Sequence, residues 1–158
     1  MSQISNSHTR KTIYLVRHGE TDYNLRKIVQ GSGIDSDLNE TGKNQAIAFH
    51  EAFKAENFDA LFVSELKRTH QSVAPFVQSG LKQLIIPELN EINWGVLEGK
   101  EPTPARYNHF LGISARWKKG DYEASVDGGE SAASMYARQK IGLAKILSTD
   151  YIKCKQYS

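Results

Sequence analysis

The apolar positions of this chain come in short clusters whose spacing alternates between strand-like and helix-like. Thr12-Ile13-Tyr14-Leu15-Val16 is a continuous β-prone run flanked by charge, the pattern of a strand buried in an α/β sheet. A polar stretch with Gly31, Gly33, Asp35 and Asp37 follows and reads as a loop. Asn39 or Thr41 can then cap a helix carrying Ala46, Phe49 and Phe53 on one face. Asp59-Ala60-Leu61-Phe62-Val63 predicts a second strand, with a helix from Leu66 to Gln78 behind it. Gly80 ends that helix, and Leu84-Ile85-Ile86 before Pro87 predicts a third strand. Thr103 to Lys118 reads as helix, and Gly120 and Gly128-Gly129 mark loops. Ser131 can cap a last helix whose apolar face is Ala133, Ala137, Ile141, Ala144 and Leu147. Strands alternating with helices in the first half predict an α/β fold with a mostly parallel sheet.

Composition narrows this picture without changing it. A chain of 158 residues can bury a real core as a single domain. Residues 1–11 are polar and lack the apolar centre of a signal peptide, so they read as a disordered tail ahead of a domain over 12–158. A net charge of +2 gives no reason to expect a nucleic acid or an anionic membrane as partner. No apolar run has the length of a membrane span. The single cysteine, Cys154, excludes an intramolecular disulfide and a cysteine-rich metal site. These features together point to a cytoplasmic protein. Oligomeric state leaves no mark in them.

The chemistry concentrates at the ends of the predicted strands. Leu15-Val16-Arg17-His18-Gly19-Glu20-Thr21, running on to Asn24, puts Arg17 and His18 where the first strand ends, the edge at which open α/β sheets bind ligands. Gly19 would let the backbone approach a ligand closely. A histidine beside an arginine is disfavoured from holding a proton, and neutral imidazole is the form that attacks phosphorus. Taken alone, Arg-His-Gly could equally end a strand with its ring bonded to the backbone. Three later segments change the balance. Ser64-Glu65-Leu66-Lys67-Arg68-Thr69 opens the helix after the second strand and aims Arg68 at the same crevice, where two guanidiniums would fork around an oxyanion. The run Glu88 to Gly99 brings Glu91 and Glu98 beyond the third strand, and Gly128-Gly129-Glu130-Ser131 precedes the last helix.

In this order, over roughly Thr12 to Leu147, these segments resemble the histidine phosphatase (phosphoglycerate mutase-like) superfamily. The resemblance implies a three-layer α/β/α fold and phosphoryl transfer through His18 as the phosphate-accepting nucleophile. It makes Arg17 and Arg68 the pair that holds the transferred group. Glu91, in the stretch Glu91-Ile92-Asn93-Trp94-Gly95-Val96-Leu97-Glu98-Gly99, becomes the acid that protonates the leaving oxygen and then activates water, with Glu98 structural. Asn24, Gln30 and Gly31 fall where relatives contact substrate phosphate or hydroxyls. Cationic side chains take the place of a metal, so neither metal nor cofactor is expected. His8, His50, His70 and His109 are expected to stand outside the chemistry.

The resembled family carries a further apolar strand after the last helix, lying between the first two strands and ending in a second active-site His-Gly. Here no histidine follows His109, and Tyr151 to Gln156 is too polar for such a strand. The domain therefore reads as C-terminally incomplete. Three functions follow in order of preference: a phosphatase acting on a small phosphorylated metabolite, a phosphoglycerate mutase, and an inactive phosphate-binding remnant or fragment. The Glu-Arg-His-Tyr-Gly segment of cofactor-dependent mutases is replaced by Glu91-Ile92-Asn93-Trp94-Gly95, which favours the phosphatase.

Overall fold

A computed structural model of the chain describes residues 11–148; the expectations for the leading tail, for Tyr151 to Gln156 and for Cys154 lie outside that range. Asn39 caps the helix predicted after the polar stretch, its side chain accepting from the Gly42 N–H at 2.9 Å. The polar stretch itself contains a single helical turn, α1 (Asp22–Leu25), closed by a reciprocal Thr21–Asn24 capping box. Next come α2 (Glu40–Phe53), β1 (Leu61–Val63), α3 (Lys67–Gln78) and β2 (Gln83–Ile85). β1 and β2 are parallel, with Phe62 opposite Leu84. The α3 crossover between them makes one β-α-β unit, as the alternation predicts. Gly80, at φ 95°, turns the chain out of α3. Short 3₁₀ turns at Pro87–Leu89 and Gly95–Leu97 lead to α4 (Pro104–Lys118) and α5 (Ala132–Ser148). Thr103 and Ser131 cap these last two helices through the N–H groups of Arg106 and Ser134.

Aromatic contacts fix α2 against α3. Phe49 meets Phe76 at 5.0 Å between ring centroids, and Phe58 meets Phe76 at 5.8 Å. A second small core gathers Leu97, Ile113 and Val126 under Trp94 and Trp117, whose indole N–H donates to the Ala124 carbonyl at 2.8 Å. No helix among the described residues is long and apolar enough to cross a membrane.

Two expectations are corrected. The run Thr12 to Val16 is not a strand: among the described residues it shares no backbone hydrogen bond, and Leu15 is 98% exposed. A strand exists only through its ladder. Instead of a neighbour, a cavity of about 760 Å³ separates residues 11–18 from residues 56–64, including β1. Among the described residues β1 consequently pairs on one side only, with β2. The buried face of α5 also differs from the expected one. Arg138 is half-buried and Gly142 and Ile146 are buried, while Ile141 and Leu147 stand exposed. Gly142 decides this rotation. A Cβ there would press on Glu88 Cβ, so only this face lets the helix settle against the Pro87–Leu89 turn. Leu143 is turned towards the cavity beside β1.

The cavity sits where the resemblance puts a further strand. Extending the chain past Ser158 with an apolar strand of five or so residues is expected to raise its melting temperature by about 5 °C or more, each kcal/mol being worth ~2–4 °C in domains of this size. Thermal unfolding of the two forms by circular dichroism checks this. Equal melting temperatures would mean that the cavity does not accept a strand.

Candidate active site

His18 is half-buried in a loop stitched to two helices. The Gly19 N–H donates to Ser72 Oγ at 2.9 Å, and that hydroxyl donates in turn to the Arg68 carbonyl at 2.7 Å, one turn back on α3. On the other side the Asn39 N–H donates to the Glu20 carbonyl at 3.0 Å, and the Asn39 amide donates to the Glu20 carboxylate at 2.9 Å. The expected role of Gly19 is corrected here. A Cβ on Gly19 would meet the Gly42 carbonyl at 2.6 Å, so its small size serves the approach of α2 rather than of a ligand.

His18 Nδ1 lies 2.7 Å from the Gly19 carbonyl oxygen. A carbonyl only accepts, so Nδ1 carries the hydrogen and donates, leaving the Nε2 lone pair of a neutral ring unused. The pKa of His18 is lowered from the usual 6.5, first by burial and further by the charges of Arg68 and Arg17. The Gly19 carbonyl and Glu91 act against this without reversing it. His18, Arg17, Arg68 and Glu91 are thus within electrostatic reach of one another.

Arg68 is fully buried, unlike the exposed Arg17. Its Nη1 donates to the Ile34 carbonyl at 2.7 Å and its Nη2 to the Gly31 carbonyl at 3.0 Å. Burial works against its charge, while Glu91, Asp35 and Glu98 favour it. Its Nε–H is buried without a partner among the described residues. Such a donor is costly to leave unused.

The remaining predicted residues take distinct places. Gly31 is buried, and a Cβ there would collide with the Ile92 carbonyl and the Glu98 carboxylate. Asn24 uses its carboxamide oxygen on the Thr21 N–H and hydroxyl, at 3.1 and 3.0 Å. Gln30 donates to Thr21 Oγ1 at 2.7 Å and accepts from the Ser36 hydroxyl at 2.6 Å. Glu98 accepts from the Trp94 N–H at 2.7 Å and lies against Gly31 and Gly33. Glu91 is exposed, with one carboxylate oxygen 3.0 Å from its neighbour's N–H at Ile92. His70 is 2.6 Å from Gln83 and His50 is 2.9 Å from Ser79, while His109 is exposed. His8 lies outside the described residues.

Sequence reasoning missed Ser72 and Thr21. Ser72 stands four residues after Arg68, hence on the same helical face, and that spacing is the signal that could have found it. Thr21, buried to 0% exposure, is visible only as a cap at the start of a helix too short to announce itself. Among the described residues no three His, Cys, Asp or Glu side chains come together as metal ligands would.

The sequence matches the family profile described as the histidine phosphatase superfamily (branch 1) over residues 13–152. It is 34% identical over 137 residues to fructose-2,6-bisphosphatase TIGAR B of Danio rerio, a match covering 84% of this chain and 51% of the relative. It is 31% identical over 140 residues to "Probable phosphoglycerate mutase GpmB" of Yersinia enterocolitica, covering 85% of this chain and 62% of that protein. Among solved structures, a mycobacterial glucosyl-3-phosphoglycerate phosphatase with bound VO3 superposes with a TM-score of 0.70 at 25% identity, over 84% of this chain and 65% of that one. The alpha-ribazole phosphatase of Shigella flexneri does so with a TM-score of 0.70 at 26% identity, over 87% and 68%. The chain spans about half the length of the TIGAR relative it matches. Its α/β fold is the phosphoglycerate mutase-like one. With the match running across nearly all of the described residues, the chain belongs to the histidine phosphatase superfamily.

Proposed function

We propose that this chain carries the catalytic face of a metal-independent phosphatase that hydrolyses a small phosphorylated metabolite through a phosphohistidine at His18. The reading rests on one observation above all: His18 Nδ1 is committed to the Gly19 carbonyl, and burial with the charges of Arg68 and Arg17 lowers the ring's pKa, which favours a neutral ring with Nε2 as nucleophile. Nε2 donates its lone pair to phosphorus, the ester P–O bond breaks in line, and the Glu91 carboxyl gives its proton to the departing oxygen. Glu91, now a carboxylate, takes a proton from water. The water oxygen attacks phosphorus, the N–P bond breaks, and inorganic phosphate leaves with His18 restored. Arg17, together with Arg68 once a shift of the loop 31–35 uncovers its Nε–H, neutralises the equatorial oxygens. Asn24 and Gln30 are proposed to contact substrate oxygens with their amide N–H groups.

The names borne by relatives support a phosphatase acting on sugar-type phosphates and keep a mutase as second reading. Interconversion of phosphoglycerates separates the two. The unpaired run Thr12 to Val16, which leads directly into Arg17 and His18, favours the third reading, a phosphate-binding remnant without turnover. Hydrolysis of a simple aryl phosphate tests it.

Rapid quench with a phosphorylated substrate is expected to trap an acid-labile, base-stable phosphoprotein. His18→Ala is expected to abolish it and to lower turnover by about 10^4-fold or more, as loss of a nucleophile does elsewhere. Full turnover in that variant would end the proposal.

The lowered pKa of His18 sets a pH dependence. The neutral ring is the reactive form, so kcat/KM should hold as pH falls through 6.5 and decline only below it. Arg17→Gln removes one charge that opposes protonation and should move this acid limb upward. A limb above 6.5 in the parent chain would contradict the assignment. Excess chelator should leave the rate unchanged, and activity restored only by magnesium or zinc would refute metal independence.

A further inference from the structure

Arg138 on α5 is far from His18 in sequence, and nothing in the Arg-His-Gly chemistry calls for it. Yet it is the most fully bonded side chain near the site. Nε donates to Glu130 Oε1 at 2.6 Å and Nη2 to Glu130 Oε2 at 2.7 Å, a two-pronged pair. Nη1 donates to the carbonyls of Glu88 at 2.8 Å and Asn90 at 2.7 Å. The other Nη2 hydrogen reaches the Glu91 carbonyl at 3.2 Å. All five N–H donors of the guanidinium are thereby used. Glu130 closes the ring from its side, since Oε2 accepts from the Asn93 N–H at 3.3 Å and the Glu130 N–H donates to the Asn93 carbonyl at 2.8 Å. Salt-bridge partners this shielded, at 22% and 17% side-chain exposure, lose less to solvent screening than a surface pair does. The pairing with Arg138 holds the Glu130 carboxyl below its usual pKa, so the pair stays charged across the working range.

Apart from the two that join Arg138 to Glu130, every one of these bonds ends on the segment 88–93. That segment carries Glu91, and the Glu91 carboxylate is tied to the same backbone through the Ile92 N–H at 3.0 Å. A second tether holds the segment from the α3 side, where Asn90 Oδ1 accepts from the Glu65 N–H at 2.9 Å. From this we infer that the Glu130–Arg138 pair is a positioning device which fixes the backbone of residues 88–93 and so aims the Glu91 carboxyl at the leaving oxygen. The inference rests on the reading of Glu91 as the acid of a phosphatase. Neither member touches substrate; both are positioning residues. The geometry needs a planar fork, since a lysine ammonium cannot reach three carbonyls and a carboxylate at once.

The test uses Arg138→Gln, Arg138→Lys and Glu130→Gln in the full chain, with Glu91→Gln as reference. kcat/KM is measured on para-nitrophenyl phosphate, whose leaving group needs little protonation, and on phenyl phosphate, whose leaving group needs more. A misaimed acid should cost up to about 10²-fold on the poor leaving group, as small misplacements do, and only a few-fold on the good one. Arg138→Lys should not rescue the ratio. An equal loss on both substrates, or rescue by lysine, would overturn the inference while leaving the phosphatase reading intact. If Glu91→Gln itself shows no leaving-group dependence, the assignment of the acid falls, and the positioning role falls with it. Hydrogen exchange gives a readout independent of turnover. Amides of residues 90–93 should exchange faster in Arg138→Gln and Glu130→Gln, with those of α2 and α3 unchanged. Unaltered exchange there would show that the pair does not hold the segment.

Discussion

A guanidinium with no exposure to water organises the described part of this molecule. Arg68 cannot stay charged in the interior unless oxygen surrounds it, and the chain bends to supply that oxygen. The carbonyls of Gly31 and Ile34 turn inward to accept from it. For the Gly31 carbonyl to do so, its backbone must pass so close to Ile92 and Glu98 that no side chain fits. Asp35, just beyond, accepts from the Lys67 N–H at the first turn of α3 at 2.7 Å, pinning the same loop to the helix that carries Arg68. The arginine is thus the keystone of the loop 31–35. Its Nε is the one guanidinium nitrogen without a partner among the described residues.

The same helix reaches the histidine. Ser72, a turn beyond Arg68, passes a hydrogen bond from the Gly19 N–H to the Arg68 carbonyl, so the loop bearing His18 and Arg68 are fixed to one rigid element. Glu91 is held by a different one. Residues 88–93 hang between the Glu65 turn ahead of α3 and the Glu130–Arg138 pair at the start of α5. A site assembled from three chain segments with separate supports can be tuned at each support without moving the others. Loss of a support and loss of the supported group should accordingly differ in kind.

The sheet is the weak member. β1 has one partner, and the run ahead of Arg17 has none among the described residues. The loop bearing His18 is nevertheless held, because its bonds go to α2 and α3 and not to a ladder. This separates the two halves of the problem: local geometry around His18 is satisfied by helices, while anchorage of the preceding segment depends on whatever fills the cavity of about 760 Å³ beside it.

Elements with a local cause were legible in the amino-acid string. Asn39, Thr103 and Ser131 announce helix starts by side-chain caps, Gly80 announces a stop, and Phe49 and Phe53 repeat at helical spacing. His18, Arg17, Arg68 and Glu91 could be singled out as candidates, since Arg17 and His18 directly follow one apolar run and Arg68 and Glu91 come shortly after the next two. What the string could not determine depends on partners distant in sequence. Thr12 to Val16 has every property of a strand except a neighbour, and pairing is a property of two segments. Gly19 reads as room for a ligand until Gly42 is seen behind it. α5 has two candidate apolar faces, and only the close approach at Gly142 and the bonds of Arg138 to residues 88–91 choose between them. Propensity and capping act within a few residues and are written in the sequence, whereas packing and ladder bonds are satisfied across the fold and are decided there.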